Sequence, residues 1–222
     1  VCRRFIDENI SLEWMCLVRP ESPKDVNMSL LKQAGCREVQ MGLESADPVI
    51  LAKMNKRSDP SLNESVVKKL ISAGINCACY FIFGYPGETD KSIEKTVSFI
   101  KRLEEHDGTG LFNWSLYPFL LGPFSPIFDN RDEYELRGYL QEWKHHSMDS
   151  SMAKRHVLDA FMALDNSSPI YRGDNLDQLS SLPSHQSRLF LKTRHDLEKL
   201  KIANRLDNKI AFDMFAAVFL SD

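Results

Sequence analysis

The side chains whose type and spacing could do chemistry gather at the ends of apolar runs. Phe81-Ile82-Phe83 leads into Gly84-Tyr85-Pro86-Gly87-Glu88-Thr89, where an apolar run breaks at a glycine and delivers the chain into a polar helix start. Gly84 and Gly87 permit backbone turns that a side chain would hinder, and Pro86 stiffens the exit. If the run is a parallel strand, this loop lies at the face where such folds bind ligands and is a candidate ligand floor; otherwise it is a tight strand-to-helix turn. Two carboxylates, Glu44 and Glu88, stand at ends of such runs. A metal-independent barrel enzyme would need a fuller set of acid, base or nucleophile. Cys77 and Cys79 share a face with Phe81 if the run is a strand, which makes them core thiols. His145-His146 follows Trp143; on a helix, adjacent histidines point in different directions, which argues against joint metal ligation. A proton-relay or substrate role for His145 stays open.

Those residues need a scaffold of alternating strands and helices, and the sequence supplies one. The run 12–19, ended by Pro20, reads as a strand; Ser22-Pro23 then has the N-cap and first-turn proline of a helix carrying Val26, Leu30 and Leu31 and stopped by Ala34-Gly35. A strand over 37–43 follows, and Asp47-Pro48 opens a short helix. Ser61 and Glu64 have capping-box spacing before a helix that ends at Ala73-Gly74, and the next strand is 75–83. The order helix, Ala-Gly, apolar strand, polar loop therefore occurs twice, which implies a parallel sheet. A helix over 89–105 places Ile93, Val97, Ile100 and Leu103 on one stripe. Phe112–Leu121 could add a strand, and Gly122-Pro123-Phe124-Ser125-Pro126 is a loop. From about Asp132 the chain reads as helices joined by Ser, Pro and Asn loops, with Ile210–Leu220 apolar enough to be buried. The fold class expected is α/β with a helical extension over 127–222.

Composition narrows the classes of function. The 222 residues are 43% hydrophobic with a formal charge of −3, which fits a globular chain with a real core and carries no general basic footprint for nucleic acid. No apolar run is long enough to span a bilayer, so no membrane partner is expected. Five scattered cysteines are the pattern of buried thiols in a reducing compartment, from which a cytoplasmic location is expected. Val1-Cys2-Arg3-Arg4 begins in mid-pattern, as a piece of something longer would.

A specific order of short motifs completes the picture: Trp14-Met15-Cys16-Leu17-Val18-Arg19-Pro20, Ala34-Gly35-Cys36 leading to Met41-Gly42-Leu43-Glu44-Ser45, Met54-Asn55-Lys56, Ala73-Gly74-Ile75, and Phe83-Gly84-Tyr85-Pro86-Gly87-Glu88-Thr89. This succession resembles the second half of a radical S-adenosylmethionine (radical SAM) domain, most closely the group in which a cobalamin-binding domain precedes it. The resemblance implies that residues 1–126 form a partial TIM-like (β/α) barrel. It implies as well a 4Fe-4S cluster that cleaves SAM to a 5′-deoxyadenosyl radical, a small organic substrate, a reductant such as flavodoxin or ferredoxin, and cobalamin as a further cofactor of that subgroup. The family's Cys-x-x-x-Cys-x-x-Cys loop is absent; Cys77-Ala78-Cys79 has the wrong spacing, so the cluster ligands are expected outside this chain. The resemblance also assigns cofactor contacts. Glu44 would accept hydrogen bonds from ribose hydroxyls or the methionyl ammonium, or else only charge the helix start at Asp47. Lys56 would meet the SAM carboxylate, or be a surface lysine, and Arg19 could reach the ribose or carboxylate. Gly42 belongs to the same strand end, and the Gly84, Tyr85, Pro86 and Gly87 loop would supply backbone and apolar contact to adenine. Tyr80 stands where some relatives carry an acid. A cluster-free β/α scaffold or binding module is the competing reading.

Overall fold

The computed structural model describes residues 1–23, 25–170, 179 and 182–220. A short helix, α1 (Cys2–Asp7), leads to β1 (Trp14–Val18), α2 (Met28–Gln33) and β2 (Cys36–Glu44). Two helices, α3 (Pro48–Lys53) and α4 (Pro60–Ser72), precede β3 (Asn76–Phe83), and α5 (Asp90–Glu104) precedes β4 (Phe112–Pro118). These four strands are parallel, and each neighbours the next in the chain. That sequential order is how a β/α barrel winds, whereas a doubly wound sheet reverses its order at a switch point. The expected class, α/β with a partial barrel, is therefore the observed one.

The two faces of the sheet differ in kind because side chains alternate along each strand. One face carries Val39, Met41, Leu43, Cys77, Cys79, Phe81, Phe83 and Trp114, all buried, and it packs with Val67, Leu70 and Ile71 of α4 and Phe99, Ile100 and Leu103 of α5. Each large side chain so buried contributes roughly 1.5–3 kcal/mol. Cys77 and Cys79 are thus core thiols, as alternation predicts. The opposite face carries Glu38, Gln40, Gly42, Tyr80, Ile82, Ser115 and Tyr117, a polar and aromatic surface that leads to the strand ends.

Local signals were partly misassigned by sequence. The N-cap of α2 is Asn27, whose Oδ1 accepts the Leu30 N–H at 3.1 Å, and Ser22-Pro23 lies in turns before it, with Val26 exposed. Helix α4 is capped by Asp59, which accepts the Leu62 N–H at 2.9 Å with Pro60 in the first turn; Ser61 and Glu64 form no capping box. An aspartate followed by proline supplies the stronger start, and Glu64 pairs with Lys68 instead. Thr89 does cap α5, reciprocally with Ser92.

The larger correction lies beyond residue 130. After α6 (Pro126–Asp129) the chain forms three antiparallel strands, β5 (Arg137–Tyr139), β6 (Glu142–His145) and β7 (Met148–Asp149), before α7 (Ser150–Ala163). The stretch holding Trp143, His145 and His146 is therefore not helical. Its period is two: Trp143 and His145 are buried, while Glu142, Lys144 and His146 are exposed. A two-residue strand, β8 (Ser168–Pro169), then joins the main sheet beside β4. Helices α8 (Ser184–Ile202) and α9 (Asn208–Leu220) follow; the linking stretches 171–178 and 180–181, expected as loops, lie outside the described residues. Helix α9 packs along α8 through Phe215 and Phe190, so Phe212 and Phe219 are exposed where burial was expected, and Val218 is buried.

Candidate functional site

A cavity of about 660 Å³ opens at the carboxyl ends of β2, β3 and β4. Its polar end is made by β2. The register between β2 and β3 slips between Gly42 and Glu44, and Glu44 takes a left-handed conformation with φ +62°. Such a bulge re-aims the side chain at the strand end. Glu44 Oε1 accepts from Lys56 Nζ at 2.8 Å, and Lys56 reaches Gly42 O at 3.4 Å. Gly42 is where a Cβ would run into the Glu44 carboxylate, so the glycine makes room for this pair. Helix α3 turns the chain back from Glu44 to Lys56, its start fixed by Asp47 accepting the Val49 N–H at 2.8 Å.

The rest of the cavity is aromatic. Tyr80 and Ile82 on β3 and Tyr117 on β4 form its floor, with the two tyrosine rings 6.4 Å apart and tilted by 31°. Tyr80 donates to Gln40 Oε1 at 3.1 Å. Phe119 stands edge-on to both Tyr85 and Trp143. Trp143 donates its indole N–H to Phe119 O at 2.7 Å and stacks on His145, so the hairpin β5–β7 is fastened to the end of β4. Lys154 of α7 completes the rim.

The loop after β3 is built inward. Gly84 (φ +92°) and Gly87 (φ +87°) both occupy the left-handed region, which glycine enters at no steric cost. The Gly84 N–H donates to Glu88 Oε2 at 2.6 Å, and His145 Nε2 lies 3.1 Å from Gly84 O. Ser147 N donates to His145 Nδ1 at 3.4 Å, which leaves Nε2 as the protonated nitrogen. Burial lowers the His145 pKa, which favours the neutral ring, and its two nitrogens face Gly84 O and Ser147; His146 points to solvent. Burial pushes the Glu88 carboxyl up to about 7, against the two backbone N–H groups of Gly84 and Tyr85 that pull it down.

Of the residues singled out in the sequence, Glu44, Lys56 and Tyr85 line the cavity, and Gly42 lies directly beneath the ion pair. Gly84, Pro86 and Gly87 back it: the polar groups of Gly84 are used by Glu88 and His145, Pro86 is buried, and Gly87 faces Lys53. The loop's reach into the cavity is the Tyr85 ring, whose hydroxyl donates to Lys53 O at 3.0 Å. Arg19 is exposed at the end of the edge strand β1 and does not line the cavity. Sequence reasoning passed over Tyr117, Phe119 and Lys154. For Tyr117 the missed signal was its alternation with Ser115 on a strand already suspected.

The polar pair beside apolar rings fits a zwitterionic nucleoside such as SAM, which needs an acceptor for hydroxyls or an ammonium, a cation for a carboxylate, and a flat apolar surface. A 4Fe-4S cluster finds no such fit. Cys36, Cys77 and Cys79 are buried with thiols pushed up by burial, Cys36 to about 12. Among the described residues, no three His, Cys, Asp or Glu side chains are placed to hold one metal ion. No helix among them is long and apolar enough to cross a membrane.

Comparison with known proteins places part of the chain beside one family. Residues 8–100 match the Radical SAM superfamily. A bacteriochlorophyllide d C-12(1)-methyltransferase of Chlorobaculum tepidum is 33% identical over 197 residues, covering 76% of this chain and 40% of that protein. An uncharacterized methyltransferase of Pyrococcus horikoshii is 31% identical over 101 residues, covering 46% of this chain and 22% of that protein. Among solved structures, the radical SAM methyltransferase TsrM of Kitasatospora setae, with cobalamin and a 4Fe-4S cluster bound, aligns over 52% of this chain and 23% of its own, with 26% identity and a TM-score of 0.42. The chain thus spans less than half the length of each of these proteins.

Proposed function

We propose that this chain, whose residues 8–100 belong to the radical SAM superfamily, supplies the part of a radical SAM enzyme that grips SAM and one side of a small organic substrate. The observation that carries the reading is the Glu44–Lys56 pair, set by a strand-end bulge against an aromatic cavity. Reductive cleavage of SAM at a 4Fe-4S cluster is the chemistry that the bound cofactors supply in this superfamily. This chain's residues bind and orient. Glu44 accepts from the ribose hydroxyls or the methionyl ammonium, Lys56 faces the carboxylate, and Tyr85 offers an apolar face to adenine. Arg19 lies outside the cavity at the end of β1, and its planar cation would have to swing toward the ligand to reach the ribose or carboxylate. Gly42 keeps the pair's space clear, and Glu88 with His145 holds the Gly84 turn rigid. In this reading residues 1–126 form the barrel portion and 127–222 an extension that walls the cavity, with the cluster ligands and any cobalamin supplied from outside these 222 residues.

Methyl transfer is the favoured reaction class, supported by the names of the two relatives above, and the enzyme would draw electrons from a flavodoxin- or ferredoxin-like reductant in the cytoplasm. A cluster-free module that binds a nucleotide-like ligand is the competing reading, favoured by the missing three-cysteine loop. Calorimetric titration of the chain with SAM tests the grip: Glu44→Ala and Lys56→Ala each weaken binding by about 10-fold or more, as loss of a charge-assisted contact does. Unchanged affinity in Glu44→Ala removes that residue from the site.

A further inference from the structure

The geometry points to a substrate subsite on the far side of the same cavity, built for a flat, apolar ring system that carries a carboxylate. This rests on the proposed SAM grip, because it takes the Glu44–Lys56 end as occupied by the cofactor. Charge is the first argument. Glu44 and Lys56 are paired at 2.8 Å and cancel each other, whereas Lys154 adds a second ammonium to the lining. Its ion partner is Glu142, 3.5 Å away with a side chain 83% exposed, a contact that water screens heavily. The cavity therefore keeps an excess positive charge at the α7 rim, which an anionic group can take.

Shape is the second argument. Tyr80, Ile82 and Tyr117 come from one face of two paired strands, with Ile82 opposite Tyr117 in register. They make a floor rather than a slot, since rings 6.4 Å apart and tilted by 31° leave no space for a third between them. A flat ligand lies on such a floor. Tyr117 is half exposed, whereas Phe119 and Trp143 are buried and set edge-on, so they act as a fixed wall at the side. Leu120, also half exposed, continues the apolar surface toward the mouth. Rigid aromatic walls of this kind give contact area at low entropic cost, and the single rim cation sets orientation.

Fluorescence titration with 1-pyrenecarboxylate, 1-pyrenemethanol and decanoate separates the two arguments, with S-adenosylhomocysteine binding measured in parallel on the same protein. We expect pyrenecarboxylate to bind about 10-fold more tightly than pyrenemethanol, and decanoate to bind weakest. In Lys154→Ala the preference for the acid over the alcohol disappears; in Lys154→Arg it survives. Tyr117→Ala weakens both pyrenes by a similar factor and leaves their ratio unchanged. Equal binding of acid and alcohol to the parent protein, or an unchanged ratio in Lys154→Ala, overturns the cation's role. Binding that is indifferent to Tyr117→Ala, or decanoate matching the pyrenes, overturns the flat floor. Absence of pyrene binding by protein that still binds S-adenosylhomocysteine sinks this inference alone; loss of S-adenosylhomocysteine binding with pyrene selectivity intact sinks the SAM grip and leaves the subsite standing as a site in its own right.

Discussion

In the loop after β3, Glu88 has no exposed surface; its Oε2 takes the Gly84 N–H while its Oε1 meets no hydrogen-bond partner among the described residues. Ionising such a group is costly, which is why burial lifts its pKa from 4.5 to about 7. The folded state therefore holds the proton more tightly than the unfolded chain. Stability from this group is fully present below about pH 4.5, declines as pH rises toward about 7, and is flat above that. Glu88→Gln keeps an acceptor for Gly84 but cannot ionise. We expect its advantage over the parent protein to grow across that window, reaching on the order of 1–3 kcal/mol above pH 7. Urea unfolding at about pH 5 and about pH 8 reads the difference, and parallel pH profiles for the two proteins would assign the titration elsewhere.

At the scale of elements, the decisive contact is between the end of β3 and the hairpin β5–β7. Gly84 lies against the Trp143 ring and Ala153, where an added Cβ would come within 2.5 Å and 2.7 Å of side-chain atoms, and its φ of +92° disfavours any side chain. Gly84→Ala should cost roughly 2–4 kcal/mol, from strain and overpacking together. Gly122 makes the control. Among the described residues nothing lies within 4 Å of a Cβ built there, so Gly122→Ala should change stability by less than about 1 kcal/mol. Thermal melts of both variants check this, and equal shifts would mean that the hairpin does not press on the loop. Helix α8 is tied in by a similar device: His195 sits fully buried between Ser167 O and Phe161 O, at 3.1 Å and 3.0 Å.

For the whole molecule, the question is what the chain does without the three-cysteine cluster loop of the radical SAM family that residues 8–100 match. With Cys36, Cys77 and Cys79 buried, Cys2 and Cys16 partly so, and no clustered ligands among the described residues, the chain should take up no 4Fe-4S cluster when treated anaerobically with iron and sulfide. It should yield no 5′-deoxyadenosine from SAM and dithionite. A longer protein in which a three-cysteine loop is supplied to this chain should do both. Cluster absorption in the 222-residue chain alone would contradict the reading of Cys36, Cys77 and Cys79 as core thiols. Failure of the longer protein, shown to be folded, would favour the cluster-free module.

The alternation of helix, Ala-Gly and apolar strand was enough to determine the parallel sheet, because buried strands and amphipathic helices write their periods directly into the chain. The same holds for the helix start at Thr89 and the core placement of Cys77 and Cys79. Residues 137–149 were misjudged because a short hairpin carries only a few alternating positions, too few to separate period two from a helical stripe until Trp143 and His145 are seen buried on one side. The candidate cavity was half legible. Glu44, Lys56 and Tyr85 lie next to recognisable strand ends, whereas their union depends on a bulge at Gly42–Glu44 that no residue type announces. Tyr117 and Lys154 are far apart in sequence, and only folding brings them to one cavity. Local sequence sets which segments are strands and helices; which side chains share a cavity depends on register and strand order, and those are decided by packing across the whole sheet.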